Sequence, residues 1–178
     1  MNDKAPLAPP PATIADLAES CLRFVDRALG LPLDYSQDTL PLLDHYMGIA
    51  AESAEPIISL VAPAAGAYFG EVIRQHFGSG TWEAAGDYEA HRLVIEPGPL
   101  RFNPIGASIE VATGEQVSGW GAELHVPDVY RRAIQESVER MGPVREEDYF
   151  TFSLRFELIE HARSTLIACK QVKTDAAT

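Results

Sequence analysis

The stretch over residues 56–82 constrains the fold of this chain more than any other part of the sequence. It reads PIISLVAPAAGAYFGEVIRQHFGSGTW and carries no charge before Glu71. Ala62, Gly66 and Gly70 follow one another at intervals of one helical turn, so they form a row of small residues on one helix face. Such a row lets a neighbouring backbone come close, because no side chain intervenes. The stretch therefore predicts a central helix against which other helices pack, with a surface left open for a ligand or partner as the alternative.

Three features indicate a soluble protein of the cytoplasm. The uncharged run over residues 56–70 contains Pro63 and is too short to span a bilayer, which takes roughly 20 residues. The N-terminal sequence MNDKAPLAPPPATIADL has no uninterrupted apolar region, so we expect no signal peptide. Cys21 and Cys169 provide neither a disulfide framework nor a metal-binding spacing, and we expect both to be reduced thiols.

The charge balance limits the kinds of partner. A chain of 178 residues that is 46% hydrophobic and 22% charged suits one soluble domain with a single core. Its formal net charge of -12 weighs against nucleic acid and anionic membranes, because phosphate binding needs clustered Lys and Arg. An acidic surface can instead steer a cationic partner toward the protein.

The pattern along the chain predicts one globular domain over residues 12–171. Residues 1–11 are rich in proline and alanine, which is typical of a flexible tail. Residues 172–178 are predicted to form a second flexible tail.

Helical spacing of apolar residues predicts several long helices. The first covers residues 14–29, with Thr13 as its N-cap and Gly30 just after its end. A second helix follows Ser36, which is suited to cap it. The central helix is predicted to kink at Pro63 and to end at Gly78. A further helix runs from Pro127 and stops at Gly142.

The C-terminal segment fits two patterns. Residues 150–158 alternate like a strand, whereas Phe156, Ile159, Ala162 and Leu166 fit a helix. The helical pattern is the longer of the two. We therefore predict a helix over residues 153–170, with Ser153 as its cap.

The middle of the chain has the character of a small β-structure. Residues 81–83 can form a short strand, and residues 91–95 and 100–102 are β-like runs. They are separated by the sequence EPGP, which is typical of a type II turn. Together these runs predict an α+β fold: a mostly helical single domain with a small antiparallel β element, a hairpin near residues 91–102, between helices.

The segment after the hairpin is ambiguous. Asn103 and Pro104 are suited to the N-cap and first position of a short helix that ends before Gly114. Residues 105–112 also alternate as a strand would, and periodicity over so few residues does not separate helix from strand.

The candidate binding site lies where the central helix leaves its apolar zone. Tyr68 and Glu71 share a helical face, and Trp82 follows shortly after the helix. We predict that these three residues line a recognition site, with Asp34 and Tyr35 nearby. The alternative is a solvated rim, or an ion pair of Glu71 with Arg74 that is worth little in water.

No sequence motif predicts a particular catalytic activity. Among the five histidines, His161 lies four residues from Glu157 and His76 lies five residues from Glu71, which is a poorer spacing, and no third metal ligand suggests itself. The contexts of Ser79 and Ser118 both fail the G-x-S-x-G pattern of a nucleophile. Trp120, between glycines, is either a plug that closes the core or an exposed contact. We predict no catalytic residue, no metal and no cofactor.

Several short motifs also recur in a known group of proteins. They are LDYS at residues 33–36, GAYFGEV at 66–72 followed by Trp82, FNP at 102–104, and DYF at 148–150 before the last helix. In these motifs the chain resembles a poorly characterised group of bacterial cytoplasmic proteins of unknown function. The resemblance implies a recurrent helix-rich domain and transfers no mechanism. Asn103 stands where the group leads us to expect an acidic residue.

These observations favour a non-catalytic acidic interaction domain, of the adaptor or immunity type, that binds a basic protein partner. The alternative is a small-molecule-binding protein or unassigned enzyme, with a pocket near Tyr68, Glu71 and Trp82. Self-association through the glycine row of the central helix is a third possibility.

Overall fold

The computed structural model describes residues 7–52, 55–98, 100–145 and 148–175. Its helices are α1 (Ala12–Leu29), α2 (Leu40–Ala51), α3 (Glu55–Phe77), α4 (Pro104–Thr113), α5 (Asp128–Glu139) and α6 (Phe152–Asp175). Its strands are β1 (Thr81–Glu83), β2 (Arg92–Ile95) and β3 (Leu100–Phe102). The fold is therefore α+β and mostly helical, with one small antiparallel sheet between helices, as the sequence predicts.

The predicted central helix, α3, packs between α1 and α4 in the core. At Gly66 an added Cβ would lie 2.5 Å from Ile105 Cα and 2.7 Å from the carbonyl oxygen of Pro104. At Gly70 it would lie 2.2 Å from the ring of Trp82. The glycine row is thus filled by contacts within the chain, because only hydrogen side chains let α4 and the indole come this close.

The three strands form an antiparallel sheet in the order β1-β2-β3. The turn between β2 and β3 has Gly98 at a φ of 101° and a cis bond before Pro97, while Pro99, the last residue of the predicted type II turn, lies outside the described residues. The free edge of β3 is extended by the loop before α5, because Arg101 pairs with His125. The hairpin prediction is confirmed.

The ambiguity over residues 105–112 resolves as helix α4. Asn103 caps the helix, since its side-chain oxygen accepts a hydrogen bond from the backbone N–H of Ile105 at 3.0 Å. Gly114 ends it with a φ of 68°, which is left-handed backbone that glycine tolerates.

Three predicted caps are wrong. Ser36 precedes a short 3₁₀ turn at Gln37–Thr39 and makes no side-chain cap bond, and α2 itself begins only at Leu40. Helix α1 begins at Ala12, so Thr13 lies inside its first turn, although Gly30 ends the helix as predicted. At α6 the hydroxyl of Ser153 donates to Asp44 of α2 instead of capping its own helix. The Asp44 carboxylate also accepts hydrogen bonds from the backbone N–H groups of Phe152 and Ser153. The local cap is Thr151, whose Oγ1 accepts the backbone N–H of Leu154 at 3.2 Å, and Asp44 from a distant helix satisfies the other two N–H groups.

The ends of the chain differ from the predicted boundaries. Helix α6 runs to Asp175, past the predicted helix end at residue 170 and the domain boundary at residue 171. The rest of each predicted tail, residues 1–6 and 176–178, lies outside the described residues. Within the described ranges, no helix combines the length and apolar character needed to cross a membrane.

Candidate functional site

The five predicted site residues belong to two hydrogen-bonded groups along α3. In the first group, both carboxylate oxygens of Glu71 accept hydrogen bonds from Nη1 of Arg74, at 2.9 Å each. Oxygen Oε1 also accepts the indole N–H of Trp82 at 2.7 Å. The side chains of Glu71 and Arg74 are only 7% and 2% exposed. Because a buried charge is costly unless it is paired and hydrogen-bonded, this geometry is what a stable interior site requires.

The remaining donors of Arg74 tie two loops to this group. Its Nε donates to the carbonyl oxygen of Gly80 at 3.1 Å, just before β1. Its Nη2 donates to the carbonyl oxygen of Ala8, ahead of α1. Arg74 therefore connects α3, β1 and the segment before α1, which is a structural role.

The second group surrounds the hydroxyl of Tyr68. This oxygen accepts the backbone N–H of Tyr35 at 3.0 Å and lies 2.9 Å from Oγ1 of Thr39. The rings of Tyr35 and Tyr68 stack with centroids 4.9 Å apart. Asp34 accepts the backbone N–H of Ser36 at 2.8 Å. The LDYS motif thus forms a turn, with Tyr35 at a φ of 62°, that closes over Tyr68.

The ionisation of this group follows its surroundings. Burial raises the pKa of Tyr68 to about 12. Burial, and then the negative charge of Glu71, raise the pKa of Tyr35. The pKa of Asp34 is lowered by its hydrogen bonds to Ser36. Both phenols therefore stay neutral near pH 7, and neither is prepared to act as a base.

The five predicted residues are brought together, but their polar atoms bond to one another and to nearby backbone. The space at Gly70, where a pocket near Glu71 would open, is filled by the ring of Trp82. These contacts give the five residues a structural role. Their role in binding stays a prediction.

An open pocket of about 360 Å³ lies elsewhere, between a short 3₁₀ turn at Tyr88–Ala90 and the loop before α5. It is lined by Asp87, Tyr88, Glu89 and Trp120, together with Gly86. Both aromatic residues are partly exposed, and no described residue bonds to either carboxylate. The pocket thus combines two aromatic rings with two unpaired negative charges.

Asn103 holds the two sides of this pocket. Its side-chain Nδ2 donates to the carbonyl oxygen of Tyr88 at 2.8 Å. Its backbone N–H donates to the carbonyl oxygen of Gly121 at 2.7 Å, next to Trp120. Asn103 is fully buried, so a charged residue would be costly there. The side-chain amide of Asn103 therefore fixes one wall, and its backbone N–H fixes the other.

Trp120 has features of both sequence interpretations, the plug that closes the core and the exposed contact. Its backbone side packs on α4, since an added Cβ at Gly106 would lie 2.8 Å from Trp120 Cβ. The residue is nevertheless only half-buried and lines the pocket.

A second cavity, of about 260 Å³, lies between residues 122–124 and the first turns of α6. Its walls are mainly apolar, and it is also lined by the partly buried ion pair of Glu110 with Arg155, with Nη2 and Oε2 2.6 Å apart.

The five histidines all lie in the part of the chain that the structure describes. No group of three or more His, Cys, Asp or Glu side chains there is placed to hold a metal ion. Nε2 of His161 lies 2.6 Å from Oγ of Ser137, which also accepts a bond from Thr165. Ser137 is buried in the contact between α5 and α6, so this pair joins two helices and is closed to a substrate.

Sequence reasoning missed most of the residues at both cavities. The sequence GDYEA places an aromatic residue between two acids, and this pattern could have indicated Asp87, Tyr88 and Glu89 as pocket residues. Glu110 and Arg155 carried none, because they are far apart in the chain and meet only through the packing of α4 and α6.

No protein-family model, curated protein sequence or solved structure matches this chain. The resemblance to a bacterial group therefore stays a prediction.

Proposed function

We propose that the protein is a non-catalytic interaction domain that binds a basic protein partner. In this proposal a lysine or arginine side chain of the partner enters the pocket of Tyr88 and Trp120, between the carboxylates of Asp87 and Glu89. The observation that carries the proposal is the joint presence of two aromatic rings and two unpaired acids in one open pocket.

The chemistry of the pocket favours a cation. A cation over an aromatic face gains about 0.5–2 kcal/mol, depending on how far it is desolvated. The two carboxylates add direct attraction, and the net charge of -12 would speed the approach of a basic surface.

The neighbouring Arg92 forms no ion pair with either acid. Nη1 of Arg92 donates to the carbonyl oxygens of Glu89 and His91, at 2.6 Å each. Its guanidinium lies against Gly121, behind the pocket wall. Burial lowers the pKa of His91, so this neighbour is neutral at pH 7.

The first test is an NMR titration with Nα-acetyl-arginine amide, using uncharged Nα-acetyl-norleucine amide as the matched probe. We expect saturable shifts of the Trp120 indole N–H and of the amides of residues 86–89 with the arginine probe alone. Trp120→Ala, or the pair Asp87→Asn and Glu89→Gln, should weaken binding about tenfold. The control pair Glu19→Gln and Glu136→Gln removes the same charge from exposed sites on α1 and α5 and should bind as the wild type does.

The second test is capture of partners from native lysate by the wild type and by the Asp87→Asn/Glu89→Gln variant. A basic protein that the wild type retains, that salt releases, and that the variant fails to retain would support the proposal. Equal binding of both probes, or the same set of captured proteins for both chains, would overturn it.

A further inference from the structure

The cavity beside α6 has the form of a small-molecule site. Its apolar walls come from Phe102, Ala122, Leu124, Leu154, Leu158 and Ile159. At about 260 Å³ it lies near the lower end of the range for ligand pockets, which are commonly apolar with a few placed polar groups. Its size limits the ligand to a small molecule.

The cationic group at this cavity is Arg155, whose side chain is 16% exposed. Its Nη2 donates to Oε2 of Glu110, whose other oxygen accepts the backbone N–H of Val117 at 3.0 Å. Nε of Arg155 is buried, and it has no hydrogen-bond partner among the described residues. A buried donor without an acceptor is costly, so a ligand oxygen that Nε reaches when the Arg155 side chain turns toward the cavity would stabilise the protein.

The local charge indicates what kind of acceptor fits. Glu110 already neutralises Arg155, and the exposed carboxylate of Glu123 also lines the cavity. A negatively charged ligand would bring a further carboxylate toward Glu123 without a free counter-charge. An uncharged oxygen meets the need of Arg155 without that repulsion.

We propose that this cavity binds a small uncharged molecule with an apolar body and a carbonyl oxygen. The body packs against Leu124, Leu154 and Leu158, and the oxygen accepts hydrogen bonds from the Arg155 guanidinium after a small rotation of that side chain. The site is separate from the Tyr88 and Trp120 pocket, so it goes beyond the partner binding proposed above.

The test uses the neutral ketone 4-phenyl-2-butanone and two charged analogues, 3-phenylpropanoate and 4-phenylbutan-2-amine. We expect the ketone to shift the amide signals of Ala122, Leu124 and Leu158 and the Nε–H signal of Arg155, in a saturable manner. Each charged analogue should bind at least about tenfold more weakly. No saturable shift with the ketone, or tighter binding of either charged analogue, would overturn the proposal.

Two variants test the location. Leu158→Trp fills the cavity and leaves the Glu110–Arg155 pair in place, so it should abolish ketone binding. Arg155→Met should do the same through loss of the donor, and its fold is checked by circular dichroism. Val172→Trp, at an exposed position of the same helix, is the matched control and should bind normally. Wild-type affinity in folded Leu158→Trp would rule the cavity out.

Discussion

At the residue scale, Glu71 shows how far local spacing predicts a contact. Its partner Arg74 is three residues away on the same helix, so the ion pair could be anticipated from the sequence. The burial of the pair could not, because it depends on Trp82 and on loops from elsewhere in the chain. A pair expected to matter little in water is therefore a buried network that joins three segments.

The first stability prediction concerns this network. Glu71→Gln leaves the buried Arg74 without its counter-charge, and Arg74→Met leaves Glu71 with Trp82 as its main donor. Each should lower the free energy of unfolding by about 3–5 kcal/mol. The double variant should lose clearly less than the sum, because neither charge is then left alone.

Urea unfolding followed by tryptophan fluorescence measures all three variants. Additive losses in the double variant would show that the two side chains act independently, contrary to this account.

Asn103 shows the same limit on prediction. Its role as a helix cap depends on neighbours in the sequence and was predicted from Asn103 and Pro104 alone. Its bonds to Tyr88 and Gly121 join distant segments, and no local pattern indicates them.

At the scale of elements, the contact between α3 and α4 depends on a glycine. Periodicity predicted that small residues would admit a close neighbour, and the helix that takes this place is α4. The spacing of the small residues did not indicate which element would pack against them. It also could not anticipate that Asp44 of α2 caps α6, because that cap comes from a residue far away in the chain.

The second stability prediction compares two helical glycines. Gly66→Ala places a Cβ within 3 Å of backbone atoms of Pro104 and Ile105, which no side-chain rotation can relieve. It should lower the free energy of unfolding by about 1–3 kcal/mol or more.

The matched control is Gly48→Ala in α2, where an added Cβ meets nothing within 4 Å. This change should raise the free energy of unfolding by about 0.5–1 kcal/mol, because alanine favours a helix. Thermal denaturation of both variants would reveal the opposite signs, and equal effects would contradict the assigned packing.

At the scale of the whole molecule, stability depends on proton binding to buried groups. Burial lowers the pKa of His91, and the nearby charge of Arg92 lowers it further, against the opposing effect of a backbone hydrogen bond to Gly86. A histidine with a lowered pKa in the folded state binds its proton more readily when the chain is unfolded. Its contribution to stability is therefore present above the pKa of the unfolded chain and is lost as the pH falls through and below that value.

The pH prediction follows from this direction. The melting temperature of the wild type should fall as the pH is lowered from about 7.5 to 5, across the ordinary pKa of histidine. In His91→Gln this fall should be smaller. His45→Gln alters an exposed histidine and should keep the slope of the wild type. Identical slopes in all three chains would show that His91 does not contribute.

The two bonds of Asn103 have a consequence for the rate of binding. One side chain and its own backbone hold both walls of the Tyr88 and Trp120 pocket, so the pocket exists before any ligand arrives. A preorganised site does not have to order a loop on binding, which lowers the entropic cost of association. Association should then follow a single step whose rate rises linearly with ligand concentration, and differences in affinity should appear mainly in the dissociation rate.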